Sequence, residues 1–362
     1  MLRLLKKIHL DKIDNFTFQK QLMGGQASTT LIYKNGENSQ IVLKMLIAPR
    51  NKPELDAFKN EAKALTQLAK YEGMSFCPKI IGELEQHQSY PIYYYRMEYV
   101  EGKTLKEYIN ESKEPLSWEL SLNLTQRISV ALGAGSGLYV HRDLHPGNIL
   151  INGNSNFDEG DHIYYDPGVR ILDYGCSKDS FQAKFGEWQE DNFRHLGGIS
   201  TWSPESIHNP ETVDSTHDSW AIGTILYQLI TKEYPFQASC FGELIEKHKS
   251  LIDLKDIEKK VPYAVLCLLK NLLSIKPNER FRTGEIADIC SDILYRDLND
   301  YDNNFVDNYF RLRGCLHCCA TCNTMVGGRT SNCPTCGKIT NDDNTYPVLR
   351  TKDKKFWPQF PI

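Results

Sequence analysis

The stretch His141-Arg142-Asp143-Leu144-His145-Pro146-Gly147-Asn148-Ile149-Leu150 decides how the rest of the chain is read. It sets a carboxylate at Asp143 and a carboxamide at Asn148, five residues later, in a turn-forming segment that runs into apolar sequence. A second carboxylate, Asp173, follows inside Leu172-Asp173-Tyr174-Gly175. Oxygen donors of this kind suit a divalent cation held against phosphate. Asp143 would take or orient a hydroxyl proton, while Asn148 and Asp173 would hold the metal. Each piece alone is also an ordinary turn. Their order and spacing carry the signal.

Residues 141–150 and 172–175 resemble the catalytic loop and metal-binding segment of the protein kinase family, with Tyr174 standing where that family has Phe. The resemblance covers about residues 16–295 and implies an α+β, bilobal protein-kinase-like fold. Its small N-terminal β-sheet lobe (16–100) would carry one main helix, and its larger C-terminal lobe (103–295) would be helical. Around that domain lie an N-terminal extension (1–15), a zinc-ribbon-like module (312–340) and a C-terminal tail (341–362).

Within the first lobe, Phe16 to Lys34, Gln40 to Leu46 and Ile92 to Val100 are apolar or alternating enough to form strands. Between the first runs, Leu22-Met23-Gly24-Gly25-Gln26-Ala27-Ser28 resembles a degenerate phosphate-covering glycine loop, with Gly25 at its centre and Ser28 as a hydroxyl donor. In the family pattern Lys44 contacts the ATP α- and β-phosphates, and Val42 packs over the adenine. An inward lysine on an apolar strand needs a partner. Glu61, on a helix expected to begin near Pro53, supplies it. Arg96 to Leu105 resembles the hinge: Met97 controls access behind the adenine, and the backbone of Glu98 through Val100 meets its edge. Thr104 would cap the following helix.

A helix over Ser117–Tyr139, capped by Ser117, would support the catalytic loop. Leu150 would pack below the adenine. His145 departs from the lysine that serine/threonine kinases place two residues after the catalytic Asp, where positive charge helps stabilise the transferred phosphoryl group. Asn152 to Gly168 is longer than the expected connection and should be an extended hairpin or loop. The activation segment would run from Asp173 to Glu205, with Ser177, Ser180, Ser200 and Thr201 as candidate phosphorylation sites. Asp218 opens an apolar helix in which Gly223 permits close packing, and Arg280 should pair with Glu205.

The 362 residues are 41% hydrophobic, and 42 basic against 46 acidic side chains give a net charge of −4. No global field draws nucleic acid or membrane. No transmembrane-length apolar run or secretory core is present, and Leu4 to Leu10 reads as a strand or short packing arm. Six of eleven cysteines crowd into residues 315–336. Cys319/Cys322 and Cys333/Cys336 form two Cys-x-x-Cys knuckles that would hold one structural Zn²⁺, with Cys315 and Cys318 as alternative ligands. This spacing suits a reducing, cytoplasmic compartment, including a host cytosol for a bacterial or viral chain.

The resemblance implies an ATP- and Mg²⁺-dependent protein kinase, acting on serine or threonine rather than tyrosine. Asp143, Lys44, Glu61 and His145 would be its catalytic set. The acceptor could instead be a small molecule, since Leu-His-Pro-Gly-Asn also resembles kinases of that class on the same fold. A third reading is a non-catalytic scaffold that recruits a partner. The expected partners are a protein substrate and an activating or recruiting protein at the ribbon. Arg311, Arg313 and Arg329 are too few to make a nucleic-acid surface.

Overall fold

The structure is a computed structural model that describes residues 1–22, 28–70, 76–135, 140–152, 166–174, 199–208, 213–238, 241–250, 252–295, 298–311, 316–319, 325–327 and 345–347. It forms two compact units. The first comprises Met1–Glu111, Ala131–Ile199 and Glu205–Asp214, and the second Ser112–Val130, Ser200–Pro204 and Ser215–Ile362. Among the described residues no helix is long and apolar enough to cross a membrane.

The first unit opens with α1 (Leu2–Lys7), β1 (Lys12–Ile13), β2 (Phe16–Gln21), β3 (Thr29–Lys34) and β4 (Gln40–Ile47). Then follow α2 (Lys52–Leu68), β5 (Ile80–Gln86), β6 (Ile92–Glu98), β7 (Gly102–Thr104) and α3 (Leu105–Glu111). Six strands make an antiparallel sheet in the order β1-β2-β3-β4-β6-β5. This is the expected sheet with one main helix. β5 has no strand signature in the sequence, because Ile-Ile-Gly-Glu-Leu-Glu-Gln is largely exposed at the sheet edge and lacks clean alternation.

β4 is buried along most of its length because both of its faces are covered. Ile41, Leu43 and Met45 pack with Leu31 and Tyr33 of β3, and with Leu5, Ile8 and Leu10 from the N-terminal arm. Tyr33 donates its hydroxyl to the Leu10 carbonyl at 2.5 Å, locking that arm to the sheet. The arm is therefore a helix and a short strand, where the sequence suggested a strand or packing arm. Alternation then puts Val42, Lys44 and Leu46 on the opposite face. Asn51 starts α2 by accepting the Glu54 N–H at 2.9 Å, and Phe58, Glu61, Ala62, Leu65 and Leu68 form its buried stripe.

α4 (Trp118–Gly135) follows, starting beside the expected Ser117 cap, which accepts the Leu120 N–H at 3.3 Å. β8 (Ile149–Asn152) and β9 (Val169–Ile171) then join β7 in a three-stranded antiparallel sheet. The Asn152 N–H donates to the Gly168 carbonyl at 3.0 Å, so the described ends of the long connection pair as a hairpin. Thr104 and Glu107 cap α3 reciprocally: the Glu107 N–H reaches the Thr104 hydroxyl at 3.2 Å, and the Thr104 N–H reaches the carboxylate at 2.7 Å.

The remaining α-helices among the described residues are α5 (Pro204–His208), α6 (Ser215–Thr231), α7 (Phe241–Lys247), α8 (Tyr263–Leu272), α9 (Thr283–Tyr295) and α10 (Asn303–Arg311). In the second unit α6 is buried along most of its length, and a Cβ at Gly223 would lie 2.8 Å from that of Leu272. Glycine is needed there for the close approach of α6 and α8. α10 docks through Val306 and Tyr309, whose hydroxyl donates to Asp292 at 2.5 Å. β10 (Leu316–Cys319), β11 (Met325–Gly327) and β12 (Thr345–Pro347) form a separate antiparallel sheet in the order β11-β10-β12.

Candidate active site

The inner face of β4 and the buried stripe of α2 bring two charged side chains together in an apolar setting. The Lys44 ammonium donates to Glu61 Oε1 at 2.5 Å and to Asp173 Oδ1 at 3.3 Å. Lys44 and Glu61 are 8% and 4% exposed, whereas the Asp173 side chain is 47% exposed. One cation thus lies between two carboxylates, one sealed and one open to solvent. Burial pulls the Lys44 ammonium down, but Asp173 and Glu61 outweigh it and hold the group above the usual lysine range. Burial pushes the Glu61 carboxyl up to about 7, against the downward pull of Lys44.

Asp173 is held by the catalytic-loop segment. His141 Nε2 meets the Leu172 carbonyl at 2.8 Å, and its Nδ1 accepts the Asp143 N–H at 3.3 Å. One neutral imidazole therefore ties the backbone of Asp143 to the residue before Asp173. The Asn148 side-chain amide donates to the Asp143 carbonyl at 2.9 Å, and the Leu172 N–H donates to the Asn148 carbonyl at 2.8 Å. With its nitrogen committed to the loop, the Asn148 amide has its oxygen left to face a cation. Arg142 and Asp173 adopt positive φ values of 64° and 62°. This left-handed backbone is uncommon for residues other than glycine and collects at functional sites.

His145 caps the next turn: its Nδ1 accepts the Gly147 N–H at 3.0 Å. That bond fixes the neutral tautomer with its hydrogen on Nε2. A Cβ on Gly147 would lie 2.8 Å from the His145 ring, so the glycine is what lets the imidazole fold over its own turn. The Tyr174 ring packs 5.1 Å from that of His141.

For a nucleotide, Val42 and Met97 are paired directly across β4 and β6. The Glu98 N–H donates to the Lys79 carbonyl at 2.9 Å, which leaves the Glu98 carbonyl, two residues before the half-buried Val100, as a group that could meet an adenine edge. Leu150 is half-buried on β8, paired with Thr104 and Arg170. Ser28 is half-buried just before β3, and Gly25 lies outside the described residues. Residues 175–198 of the expected activation segment also lie outside them. Thr201, one of the candidate phosphorylation sites, is 1% exposed.

Of the expected zinc ligands, Cys318 and Cys319 lie on the β10 backbone, while Cys315, Cys322, Cys333 and Cys336 lie outside the described residues. Among the described residues no three His, Cys, Asp or Glu side chains cluster as a metal site. Two contributors were missed by sequence reasoning. Arg170, 6% exposed on β9, donates to Asp166 at 2.8 Å and braces the strand leading to Asp173. A cation in Val169-Arg170-Ile171-Leu172 is the same signal that marked Lys44. The other is Tyr95, 0% exposed, beside the Lys44–Glu61 pair.

A sequence profile described as the protein kinase domain matches residues 16–291. A "probable serine/threonine-protein kinase" of Clostridium perfringens is 27% identical over 270 residues, covering 72% of this chain and 36% of that protein. The serine/threonine-protein kinase PrkC of Bacillus subtilis is 28% identical over 211 residues, covering 58% and 30%. The human serine/threonine-protein kinase ULK1 is 26% identical over 273 residues, covering 71% and 24%. In each case the match spans well under half of the relative's own length.

Proposed function

The chain belongs to the protein kinase domain family, and from that premise we propose that it transfers the γ-phosphoryl group of ATP to protein hydroxyls, serine or threonine, in a Mg²⁺-dependent reaction. The observation that carries this reading is Lys44 held between Glu61 and Asp173 at 2.5 and 3.3 Å, with Asp143 and Asn148 tied to the same segment. Lys44 holds the α- and β-phosphates, and Glu61 aims it. Asn148 Oδ1 and the open Asp173 carboxylate are a hard, oxygen-only pair of the kind that holds Mg²⁺ together with substrate phosphates. When bound, that ion neutralises charge on the phosphate oxygens. Asp143 orients the acceptor hydroxyl and takes its proton. His145 offers its Nε2 hydrogen to the transferred group without a positive charge. The kinase domain would occupy 16–295, with lobes 16–100 and 103–295.

We propose further that Cys319, Cys322, Cys333 and Cys336 bind one Zn²⁺, with Cys315 and Cys318 as alternative ligands, and that this module meets an activating or recruiting protein. Support comes from the hairpin: β10 ends at Cys319 and β11 begins at Met325, so the first knuckle falls at their connection. Thiolates at such spacing fit a reducing compartment, the cytoplasm. Zinc analysis of the purified chain should give one ion, lost in Cys319→Ser with Cys322→Ser.

The phosphotransfer test is labelling of peptides with γ-labelled ATP and Mg²⁺. Phosphoserine or phosphothreonine formed by the wild type and absent with Asp143→Ala is the expected result. ATP binding with no transfer to any acceptor would sink the reading, and transfer to metabolites alone would reassign the acceptor.

A further inference from the structure

Lys44 lies opposite Tyr95 in the β4–β6 register. Tyr95 is 0% exposed, and its ring packs 5.2 Å from Phe58 of α2. Phe58 and Glu61 are three residues apart on the buried stripe of that helix, so the phenol packs on the same stripe that carries the Glu61 carboxylate. Among the described residues the phenol oxygen has no partner at hydrogen-bond distance. Burial raises the pKa of the phenol well above its usual value, and the nearby charges of Glu61 and Asp173 raise it further.

A buried phenol in an apolar layer is costly unless its hydroxyl finds an acceptor. The Phe58 ring offers none, and the Lys44 ammonium is itself a donor. Lys44 occupies Glu61 Oε1. We propose that Tyr95 is a positioning residue for phosphotransfer: its hydroxyl closes onto the Glu61 carboxylate and holds it on Lys44. This role rests on the activity proposed above. Leucine or phenylalanine would fill the same space without directing the carboxylate, so the hydroxyl is the group with a job to explain. Among the described residues, the charged and titratable groups facing Glu61 are Lys44 from β4, Tyr95 from β6 and Asp173 from the turn after β9.

Tyr95→Phe removes the hydroxyl and keeps the ring. In the phosphotransfer assay kcat should fall about five- to tenfold at neutral pH, with the KM for ATP changed less than about twofold. The acidic limb of the pH profile should move upward by about half a unit to one unit, because the ionised carboxylate has lost a donor. A second readout needs no activity: the Glu61 carboxyl resonance in ¹³C-glutamate-labelled protein without nucleotide, assigned by its loss in Glu61→Gln. Its titration midpoint should rise in Tyr95→Phe. An unmoved midpoint would overturn the contact. A moved midpoint with an unmoved acidic limb would overturn the positioning role. If the wild type transfers no phosphate while the midpoint still moves, the phosphotransfer reading fails, the contact stands and the positioning role falls with the activity.

Discussion

Lys44 in the sheet-bearing unit and Arg280 in the helical unit are both cations withdrawn from water, at 8% and 1% exposure. Lys44 meets two carboxylates, one of them on a residue half open to solvent. Within its own unit Arg280 meets neutral groups: the carbonyls of Ser274 at 2.8 Å and Thr216 at 3.1 Å, and the Trp220 ring at 4.9 Å. Trp220 is itself stacked on Phe236 and edge-packed by His248. Carbonyls and an indole hold a guanidinium through fixed, neutral contacts. A carboxylate that reaches solvent can instead be shared with an incoming cation or displaced by phosphate. Burial of charge alone therefore does not mark a working site; the character and openness of the partner do.

The comparison breaks most sharply if Lys44→Met leaves activity intact. The expected loss is about 10³-fold in kcat/KM, ~4 kcal/mol of transition-state stabilisation. Its melting temperature should change little, because Glu61 without Lys44 moves further up and takes a proton rather than remaining a lone buried anion. Arg280→Ala should do the reverse. About 3 kcal/mol of stability should be lost in thermal or denaturant unfolding, since two buried carbonyls lose their donor and Trp220 loses its cation. The KM for ATP of the folded fraction should hold. A stable Arg280→Ala variant would erase the distinction.

The smallest effect sharpens it through pH. Activity should fall about tenfold per unit below a midpoint near the Glu61 value of about 7, as the carboxylate that aims Lys44 is protonated. The stability contribution has the opposite sign. With its folded value raised from 4.5 to about 7, Glu61 binds protons better in the folded state, so its contribution declines as pH rises through that window and is level above it. Lys44, also raised, loses its contribution only as pH rises above 10.5. A pH–rate profile beside a pH–stability profile should show this opposition for the wild type and lose it in Glu61→Gln.

Much of the site was legible because its chemistry is written in local spacing. Asp143 and Asn148 are five residues apart in a turn, Asp173 follows an apolar strand, and Lys44 interrupts another. The Glu61 partner could be named because one face of α2 is apolar except at that residue. Tyr95 was not legible, since a tyrosine in Tyr93-Tyr94-Tyr95 looks like ordinary strand sequence until β4 and α2 close over it. Nor were the partners of Arg280 within the helical unit, because carbonyl acceptors have no side-chain signature.

By itself, then, the sequence determined the order of the chemical groups, the strand and helix periods that carry them, and the family to which they belong. Tertiary structure alone decided three things. It covered the outer face of β4 with the arm from residues 1–15, which assigns Lys44 to the inner face. It held Arg142 and Asp173 in left-handed backbone that neither residue favours. It set His145 over Gly147, fixing which ring nitrogen carries the hydrogen. The reason is common to all three. Side-chain direction, backbone strain and tautomer depend on what packs or bonds across the chain, and those neighbours lie outside any local pattern.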